Sequence, residues 1–481
     1  MARIKKGILK TVPLVVATFL ALVIVLGFAV TVSTYLSLKQ LRHDLSNSST
    51  SLKVAADAEN VNASLNRIFW LMNAPVSGKI FSAAGINFGD IDDEVKAVVG
   101  QAFTLGGADR PAKFLVAFQN SAEARGTGGL MGAYAVVVID KGRLRVERTG
   151  SDTSFRIYDQ MPISMPAEFL NLYGTDPADW RNSNLSPHFP YGAKIWIALW
   201  EKQFNEKLDG VITMDPVAIS YLLKATGPIT LKDGEQVTSA NVVKKTLVDA
   251  YKKYEADNAA RKAYLVEILN AAAKKIESGE FSSLTLLQGL QRSILENRLL
   301  IYSDDVQVEK KLTPTLLGGS LDTNAQNQYR AVVENIDGSK LDYYLKRSVR
   351  IISTECSPVR KTEVTVSLTN TVTNPKSLPA YVLTRGDTDK PADLVPGQHR
   401  MALFIYGPKG SELLDTYSPG RGLVRGKQSS ERGRPIAIWD MDVPPGQTWN
   451  VVADFKNGSG PITWFDHPLI SPSTVKISDR C

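Results

Sequence analysis

The pattern of apolar and polar positions over residues 113–153 predicts two buried strands around a glycine-rich loop. The apolar runs Phe114–Phe118 and Ala133–Ile139 have the length and the flanking turn residues of strands buried on both faces. The loop between them carries Glu123 and Arg125 among several glycines. A carboxylate, a guanidinium and free backbone amides favour an anion-binding or phosphate-handling corner. A glycine-rich turn with a structural Glu–Arg pair accounts for the same residues equally well.

Further along, predicted helices and strands alternate as far as residue 302. The predicted helices are Ile91–Phe103, Ala193–Leu208, Pro216–Thr226, Asn241–Tyr254, Asn258–Ser278 and Leu284–Asn297, and the predicted strands are Gly210–Met214 and Leu299–Tyr302. Strands that alternate with helices are typical of a sheet covered by helices. The fold class is therefore α/β, and residues 69–350 are expected to form an extracytoplasmic α/β domain with a mixed sheet.

The pattern changes from about Val332 to short alternating segments separated by Asn-Gly, Pro-Gly and Asp-Gly turns. Several short strands at this spacing indicate an antiparallel β-sandwich, which we assign to residues 351–481. The first of these strands could still pair with the α/β sheet, so the exact position of the boundary between the two domains is left open.

The N-terminus has the pattern of a single membrane anchor. Residues 11–38 carry no charge and are long enough to cross a bilayer, whereas residues 1–10 carry four basic residues and no acidic one. This predicts a cytoplasmic tail at 1–10, a transmembrane helix at 11–38 and a polar juxtamembrane spacer at 39–68. The bulk of the chain would then lie outside the cell membrane. A cleaved signal peptide is the alternative, but the apolar stretch is longer than a usual signal core.

The charge, cysteines and histidines of the chain indicate which partners, disulfides and metal sites to expect. The 481 residues carry a net charge of +7 that is spread along the chain, with no basic patch interleaved with aromatics. This favours a protein near an anionic envelope or lipid surface over a nucleic-acid binder. Cys356 and Cys481 could form a disulfide in an exported protein, or could be two free thiols, since one is the last residue. Four scattered histidines argue against a zinc site.

The standard catalytic motifs do not occur. There is no G-x-S-x-G elbow and no Walker A pattern, and an apolar strand rather than a helix follows the glycines at 126–132. What remains is a set of arginines and carboxylates near predicted strand and helix ends, among them Arg125, Asp152, Asp215, Asp257 and Arg261. Phosphoryl transfer uses such groups to hold phosphate oxygens and a metal. Solvated surface ion pairs are the alternative for most of them.

The irregular segment 155–192 is a second candidate region. Five prolines are expected to break any long element there, and the segment concentrates polar and aromatic side chains. Trp180, Asn182, Asn184 and Tyr191 are the binding candidates in this segment. Trp196 and Trp200 lie four residues apart on one helix face, which indicates core packing more than a sugar platform.

The block 118–144 resembles a family of single-pass surface proteins from high-GC Gram-positive bacteria, the DUF 4012 type. That family carries a motif like FQN-x-x-E-x-R-x-T-G-G-x-x-G-x-Y, which Asn120, Glu123, Arg125, Thr127, Gly128, Gly129, Gly132 and Tyr134 match. The run Asp209–Leu231, followed by Asn241, Tyr251 and Arg261, fits the same family, so the resemblance covers roughly residues 90–280. The family has no established activity.

The order of elements is more distantly similar to the LytR-CpsA-Psr envelope transferases, which move a glycopolymer from a polyprenyl pyrophosphate to peptidoglycan. By position, this similarity implies that Arg125 and Arg261 hold phosphates, and that Asp152 acts as base or binds magnesium. Two departures stand against it: Ser151 occupies an arginine position, and Tyr251-Lys252-Lys253-Tyr254 replaces paired arginines. Losing a bidentate guanidinium at a phosphate site is a substantial change.

These observations lead to one functional expectation and an alternative. We expect a membrane-anchored cell-envelope protein that handles a polyprenyl-phosphate-linked glycan or another cell-wall polymer such as peptidoglycan, with transfer of that polymer as a candidate activity. The alternative is a non-catalytic envelope assembly or polysaccharide-binding protein. The catalytic candidates are Arg125, Asp152 and Arg261, with Mg²⁺ on Asp152. The expected substrate contacts are Asn120, Glu123, Thr127, Trp180, Asn182, Asn184, Tyr251 and Asp257.

Overall fold

The computed structural model describes Gln40, Ala56 and residues 92–99, 101–107, 110–140, 143–255, 257–277, 281–322, 327–356, 359–387, 395–420, 424–457 and 460–481. The predicted cytoplasmic tail, the transmembrane helix at 11–38 and nearly all of the spacer at 39–68 lie outside these residues. Within the described part of the chain, no helix combines the length and the apolar character needed to cross a membrane.

The first sheet is mixed and has five strands in the order β3-β2-β1-β4-β7. Its strands are β1 (Ala112–Arg125), β2 (Gly128–Asp140), β3 (Arg143–Ser151), β4 (Gly210–Met214) and β7 (Leu300–Ser303), and a small hairpin consists of β5 (Ile229–Thr230) and β6 (Gln236–Val237). The central strand β1 pairs antiparallel with β2 and parallel with β4. This confirms the predicted mixed sheet of an α/β region.

Helices surround this sheet. They are α1 (Asp92–Val99), α2 (Ala102–Leu105), α3 (Ala167–Tyr173), α4 (Phe189–Phe204), α5 (Pro216–Thr226), α6 (Val242–Lys244, the π-helical turn Lys245–Asp249 and Ala250–Lys253), α7 (Asn258–Glu277), α8 (Ser283–Leu295) and α9 (Val306–Leu312). The predicted bounds of β4 and α5 are those observed. Helix α4 begins earlier than predicted, because Pro190 lies in its first turn, where a missing N–H breaks no hydrogen bond.

The predicted glycine-rich loop between the first two strands is wrong. Strand β1 runs on to Arg125 and β2 starts at Gly128, so only a two-residue turn joins them. The pairing register shifts between Asn120 and Ala124, which places a bulge at 121–123. Gly129 permits this tight pairing, since a Cβ there would lie 2.2 Å from the backbone oxygen of Asn120.

The two faces of the first sheet bury different cores. On one face, Leu115, Ala117 and Val136 pack with Trp196 and other side chains of α4. On the other face, Ala133 packs with residues of α5, α6 and α7. Successive residues of β2 thus enter opposite cores, as the two-residue period of a strand requires. The predicted core role of Trp196 and Trp200 is confirmed, because both side chains are fully buried.

The C-terminal part is rich in strands, as predicted. Its strands are β8 (Gln328–Asn335), β9 (Leu345–Glu355), β10 (Arg360–Asn370), β11 (His399–Tyr406), β12 (Glu412–Tyr417), β13 (Lys427–Glu431), β14 (Arg434–Val443), β15 (Thr448–Asn457), β16 (Thr463–Asp466) and β17 (Thr474–Ser478), with one short helix, α10 (Ala380–Leu383). They form two sheets, β12-β15-β10-β9-β17 and β13-β14-β11-β8-β16. Residues of both sheets share one hydrophobic core.

The C-terminal sheets begin upstream of residue 351. Strand β8 already pairs with β11 and β16, and the boundary predicted near residue 350 falls inside β9. Strand β9 pairs antiparallel with β10 and parallel with β17 rather than with the first sheet. Strand β16 also pairs parallel with β8, so the two C-terminal sheets are mixed and not purely antiparallel as predicted. The hydrophobic core that contains the buried side chains of α4, which we call the main core, also crosses this boundary, since Phe404 and Ile436 belong to it. Cys356 and Cys481 form a disulfide, which links the segments after β9 and β17.

Candidate functional site

A pocket of about 530 Å³ lies between the first sheet and the helices α5, α6 and α7. Its walls are mostly apolar: Phe118, Ala133, Pro216, Ile219, Leu247, Leu265, Ile268 and Leu269. Several of these side chains belong to the buried core on this face of the sheet. A mostly apolar lining with a few polar groups is typical of a small-molecule site.

Polar side chains also line the pocket: Gln119, Asn120, Thr246, Tyr251 and Lys262. We call Asn120, Tyr251 and Lys262 the polar rim. The amide of Asn120 donates a hydrogen bond to the hydroxyl of Tyr251, with 2.9 Å between Nδ2 and Oη. Lys262 forms an ion pair with Asp152 at the end of β3. The rim therefore joins the bulged strand β1 to helices α6 and α7.

A π-helical turn sets the position of Tyr251. Residues 245–249 of α6 form this turn, and Thr246 and Leu247 within it line the pocket. Such turns are rare and occur often at functional sites, because the extra residue rotates the helix that follows. Tyr251 is 3% exposed, and burial raises the pKa of its phenol.

Arg261 lies directly beside the polar rim and is 1% exposed. Its guanidinium carbon is 4.6 Å from the ring centre of Tyr251 and 3.9 Å from that of Tyr381. Nη2 donates to the side-chain oxygen of Asn258 at 2.6 Å, whereas Nη1 is buried without a hydrogen-bond partner. Across the described chain, no carboxylate forms an ion pair with Arg261. A buried cation stabilised by two aromatic rings, with one donor unused, is suited to accept an anion.

Glu123 and Lys340 form a buried ion pair close to the rim. Lys340 Nζ lies 2.7 Å from Glu123 Oε2 and 5.2 Å from the ring centre of Tyr381. Burial alone would lower the pKa of Lys340, but the adjacent Glu123 carboxylate outweighs it and raises that pKa. The negative charge of Glu123 is thus neutralised by a residue of the C-terminal part.

Arg125 uses its donors within the protein. Nε donates to Asn182 Oδ1 at 3.1 Å, and Nη1 donates to the backbone oxygens of Ala124 and Asn335 at 2.8 and 3.2 Å. Nη2 lies 3.9 Å from Glu123 Oε1. These contacts tie β1 to the segment at Asn182 and to the end of β8. This geometry indicates a structural role for Arg125 rather than a role in binding a ligand.

Four other predicted contacts lie away from the pocket. Trp180 is 1% exposed and stacks on Phe155 inside the main core. Asn184 is fully buried and donates to Thr127 Oγ1 and to the backbone oxygen of Gly129, so both Asn184 and Thr127 serve the β1–β2 turn. Asp257 is exposed and caps α7 by accepting from the backbone N–H of Ala260. The structure thus brings together Asn120, Tyr251, Arg261 and Asp152, with Glu123 nearby.

Lys262, Lys340 and Tyr381 were not singled out from the sequence. Lys262 follows Arg261 near the start of a predicted helix, and this position was a weak signal. Lys340 and Tyr381 come from the C-terminal part, and nothing local marks them. The amide of Ala380 donates to Glu255 Oε1 at 2.7 Å, and this contact holds the segment that carries Tyr381 against the end of α6.

The predicted magnesium ligand Asp152 lies in the Lys262 ion pair. Over the described residues, no group of three or more histidine, cysteine, aspartate or glutamate side chains is arranged to hold a metal ion.

Comparison with known proteins supports part of the sequence analysis. The model of DUF4012, a protein family of unknown function, matches residues 109–251, which contain the β1–β2 hairpin, α5 and Tyr251. A search of curated proteins found no match. The family match confirms the resemblance to DUF 4012 over this stretch.

Three solved structures are similar at low levels of identity. Lin1025 from Listeria innocua is 10% identical with a TM-score of 0.23, over 46% of this chain and 85% of its own. Protein gbs0355 from Streptococcus agalactiae is 12% identical with a TM-score of 0.24, over 46% and 77%. A structure described as the transcriptional regulator yvhJ from Bacillus subtilis is 12% identical with a TM-score of 0.19, over 42% and 93%. Scores this small carry no argument about function.

Proposed function

We propose that this chain is a membrane-anchored cell-envelope protein of the DUF 4012 type that binds a polyprenyl-phosphate-linked glycan. The isoprenoid chain would occupy the apolar pocket, and the phosphate would lie at the polar rim. The observation that carries the proposal is an apolar pocket that has a lysine at its rim and a buried, incompletely paired arginine beside that rim. An amphiphile with an anionic head complements both features.

The charges beside the pocket favour an anion. Glu123 is matched by Lys340, and Asp152 is matched by Lys262, whereas Arg261 has no described acidic partner. A phosphate would give the Arg261 guanidinium a counter-ion and would accept from Nη1. Charge-assisted hydrogen bonds of this kind are about twice as strong as neutral ones.

Binding is better supported than transfer. In the proposed transferase chemistry, Arg125 would also hold phosphate, but its donors already bind protein oxygens. We therefore propose glycan-lipid binding as the primary function, with transfer to the wall as an activity that would require Asp152 to leave Lys262. The relation to the LytR-CpsA-Psr transferases, the extracytoplasmic location and the role of magnesium are parts of this proposal.

The test measures binding of farnesyl phosphate to the full-length protein in lipid nanodiscs by calorimetry. We expect Arg261→Gln to weaken binding about 10- to 100-fold, because a hydrogen bond to a charged group contributes about 1.5–3 kcal/mol. Arg292→Gln is the matched control, since Arg292 is exposed and pairs with Glu296 on α8. Farnesol and inorganic phosphate, which each lack one half of the ligand, should bind more weakly than farnesyl phosphate.

The same variant separates binding from folding. Arg261→Gln removes a buried guanidinium that lacks one hydrogen bond but packs against two aromatic rings, so the thermal midpoint of the ligand-free variant is measured beside its affinity. A folded wild type that does not bind farnesyl phosphate, or an Arg261→Gln variant that binds it as well as wild type, would refute the proposal. Titrations with and without magnesium, in wild type and Asp152→Asn, test the metal role of Asp152.

A further inference from the structure

Arg261 is closed off from solvent, although the proposed phosphate has to contact it. The residue is only 1% exposed, and its atom Nη1, which would donate to the phosphate, is buried without a hydrogen-bond partner. An anion can reach this guanidinium only after a neighbouring group has moved. The groups that cover Arg261 therefore decide when the site can bind.

Two tyrosine rings pack against the guanidinium, and one of them is held less firmly than the other. The ring centres of Tyr251 and Tyr381 lie 4.6 and 3.9 Å from the guanidinium carbon of Arg261, and 5.5 Å from each other. Tyr251 is almost fully buried, belongs to helix α6 and accepts a hydrogen bond from Asn120. Tyr381 is only half-buried and stands on α10, a helix of four residues. Less packing is therefore lost when Tyr381 moves than when Tyr251 moves.

Residues 378–383, which carry Tyr381 and which we call the strap, have few buried side chains. Of these residues, Pro379 and Val382 are buried, and Val382 packs beside Tyr251 in a small cluster. The strap meets the end of α6 through a hydrogen bond from the backbone N–H of Ala380 to Glu255 Oε1 at 2.7 Å, and both of these residues are exposed. Segments with few buried apolar contacts open locally at a low cost in free energy.

From this geometry we infer that Tyr381 is a gate: the strap moves away from Arg261 to admit the phosphate, which then takes the place of the Tyr381 ring. This inference rests on the proposed function and adds the regulation of its site. In the closed form, the ring stabilises the guanidinium by a cation–π contact, and in the open form the phosphate does so by charge-assisted hydrogen bonds. Because the phosphate binds only the open form, every contact that holds the strap closed lowers the apparent affinity.

Removal of the ring should therefore strengthen binding. Calorimetry with farnesyl phosphate on the full-length protein in nanodiscs compares wild type with Tyr381→Ala. We expect the variant to bind about 2- to 30-fold more tightly, which is the range that one cation–π contact covers. Tyr417→Ala is the matched control, since Tyr417 is also half-buried in the C-terminal part but lies on β12. If the ring instead contacts farnesyl phosphate, Tyr381→Ala will bind more weakly than wild type, which would contradict the gate.

A strap that is held closed should block binding. In the double variant Glu255→Cys/Ala380→Cys, a short bis-maleimide can join the two exposed positions, and the two native cysteines do not react because they form a disulfide. We expect the cross-linked protein to bind farnesyl phosphate at least about tenfold more weakly than the same variant before cross-linking. Each single variant treated with the reagent controls for the modification itself. This test stays decisive if Tyr381→Ala does not fold.

The outcomes distinguish the inference from the function on which it rests. If folded wild type does not bind farnesyl phosphate, the proposed function fails and the inference fails with it. If wild type binds and Arg261→Gln does not, but cross-linking leaves the affinity unchanged, the inference alone is overturned. An affinity of Tyr381→Ala equal to that of wild type also overturns it.

Discussion

Single residues in the β1–β2 turn determine how closely neighbouring backbones approach each other. A Cβ built at Gly126 would lie 2.0 Å from the backbone oxygen of Leu185, a distance that no side chain can tolerate. At Gly132 the nearest atom to such a Cβ is the Cβ of Asn120 at 3.6 Å, an ordinary contact. The glycines of the predicted anion-binding loop therefore have different roles, and Gly126 is needed for close packing against the backbone at Leu185.

We expect Gly126→Ala to lower the free energy of unfolding by about 1–3 kcal/mol, because the segment at Leu185 must move to admit the methyl group. Gly132→Ala is the matched control and should change stability by less than about 0.5 kcal/mol. Tryptophan fluorescence during thermal unfolding measures both. Equal midpoints for the two variants would show that the close approach at Gly126 is not needed.

Glu123 and Arg125 show that the role of a motif residue cannot be decided from the sequence when its contact partners lie far along the chain. The sequence analysis left open an anion site and a structural pair. The observed partners, Lys340 for Glu123 and the backbone of Asn335 for Arg125, come from more than two hundred residues away. No local pattern could have separated the two interpretations.

At the scale of elements, helix α5 shows how local signals can define a segment completely. Pro216 stands in its first turn, and Asp215 caps it by accepting from the backbone N–H of Ala218 at 2.8 Å. Asp215 Oδ2 also accepts from Ser121 Oγ at 3.0 Å and from Arg298 Nη1 at 2.5 Å. Asp215, a candidate for phosphoryl chemistry in the sequence, thus joins β1, α5 and the chain before β7.

We expect Asp215→Ala to lower the free energy of unfolding by about 3–5 kcal/mol, because it leaves Arg298 with a buried charge and one remaining carboxylate partner, Glu296. Glu412→Ala breaks an exposed pair with Lys456 and should cost less than about 1 kcal/mol. Denaturant unfolding measures both variants. A loss in Asp215→Ala no larger than that in Glu412→Ala would contradict this assignment.

At the scale of the whole molecule, two buried histidines lie where different parts of the chain meet. His467 donates from Nε2 to the backbone oxygen of Arg125 at 2.7 Å, and its Nδ1 accepts from the N–H of Val333 at 3.4 Å. His188, just before α4, accepts at Nδ1 from the N–H of Leu321 at 3.1 Å. Burial, with further contributions from nearby arginines, lowers the pKa of each imidazole to about 3.

These histidines should make the fold weaken as the pH falls. The unfolded chain takes up protons on them below about pH 6.5, whereas the folded chain keeps both neutral down to about pH 3. Between these pH values, each histidine lowers the free energy of unfolding by about 1.4 kcal/mol for every unit by which the pH falls. His467→Gln keeps an N–H donor for the Arg125 oxygen. It should reduce the pH slope of the free energy of unfolding by the contribution of one histidine, about 1.4 kcal/mol per pH unit.

Unfolding measured from pH 7 to pH 4 in wild type, His188→Gln and His467→Gln checks this expectation. Carboxylates contribute to the slope in all three proteins, so the difference between the slopes isolates the histidines. Variants whose stability falls as steeply as that of wild type would exclude the histidines as the cause.

The sequence by itself determined most helices and strands and the α/β character of the first part. It did so because hydrophobic period, proline and glycine positions and caps act over a few neighbouring residues. Only the tertiary structure decided that the predicted loop is a paired hairpin, that Trp180 and Asn184 are buried, and that Lys340 and Tyr381 lie near Arg261. These outcomes depend on contacts between residues that are far apart in the chain. The residues that make up a buried site depend on which distant side chains neutralise its charges and shield it from solvent.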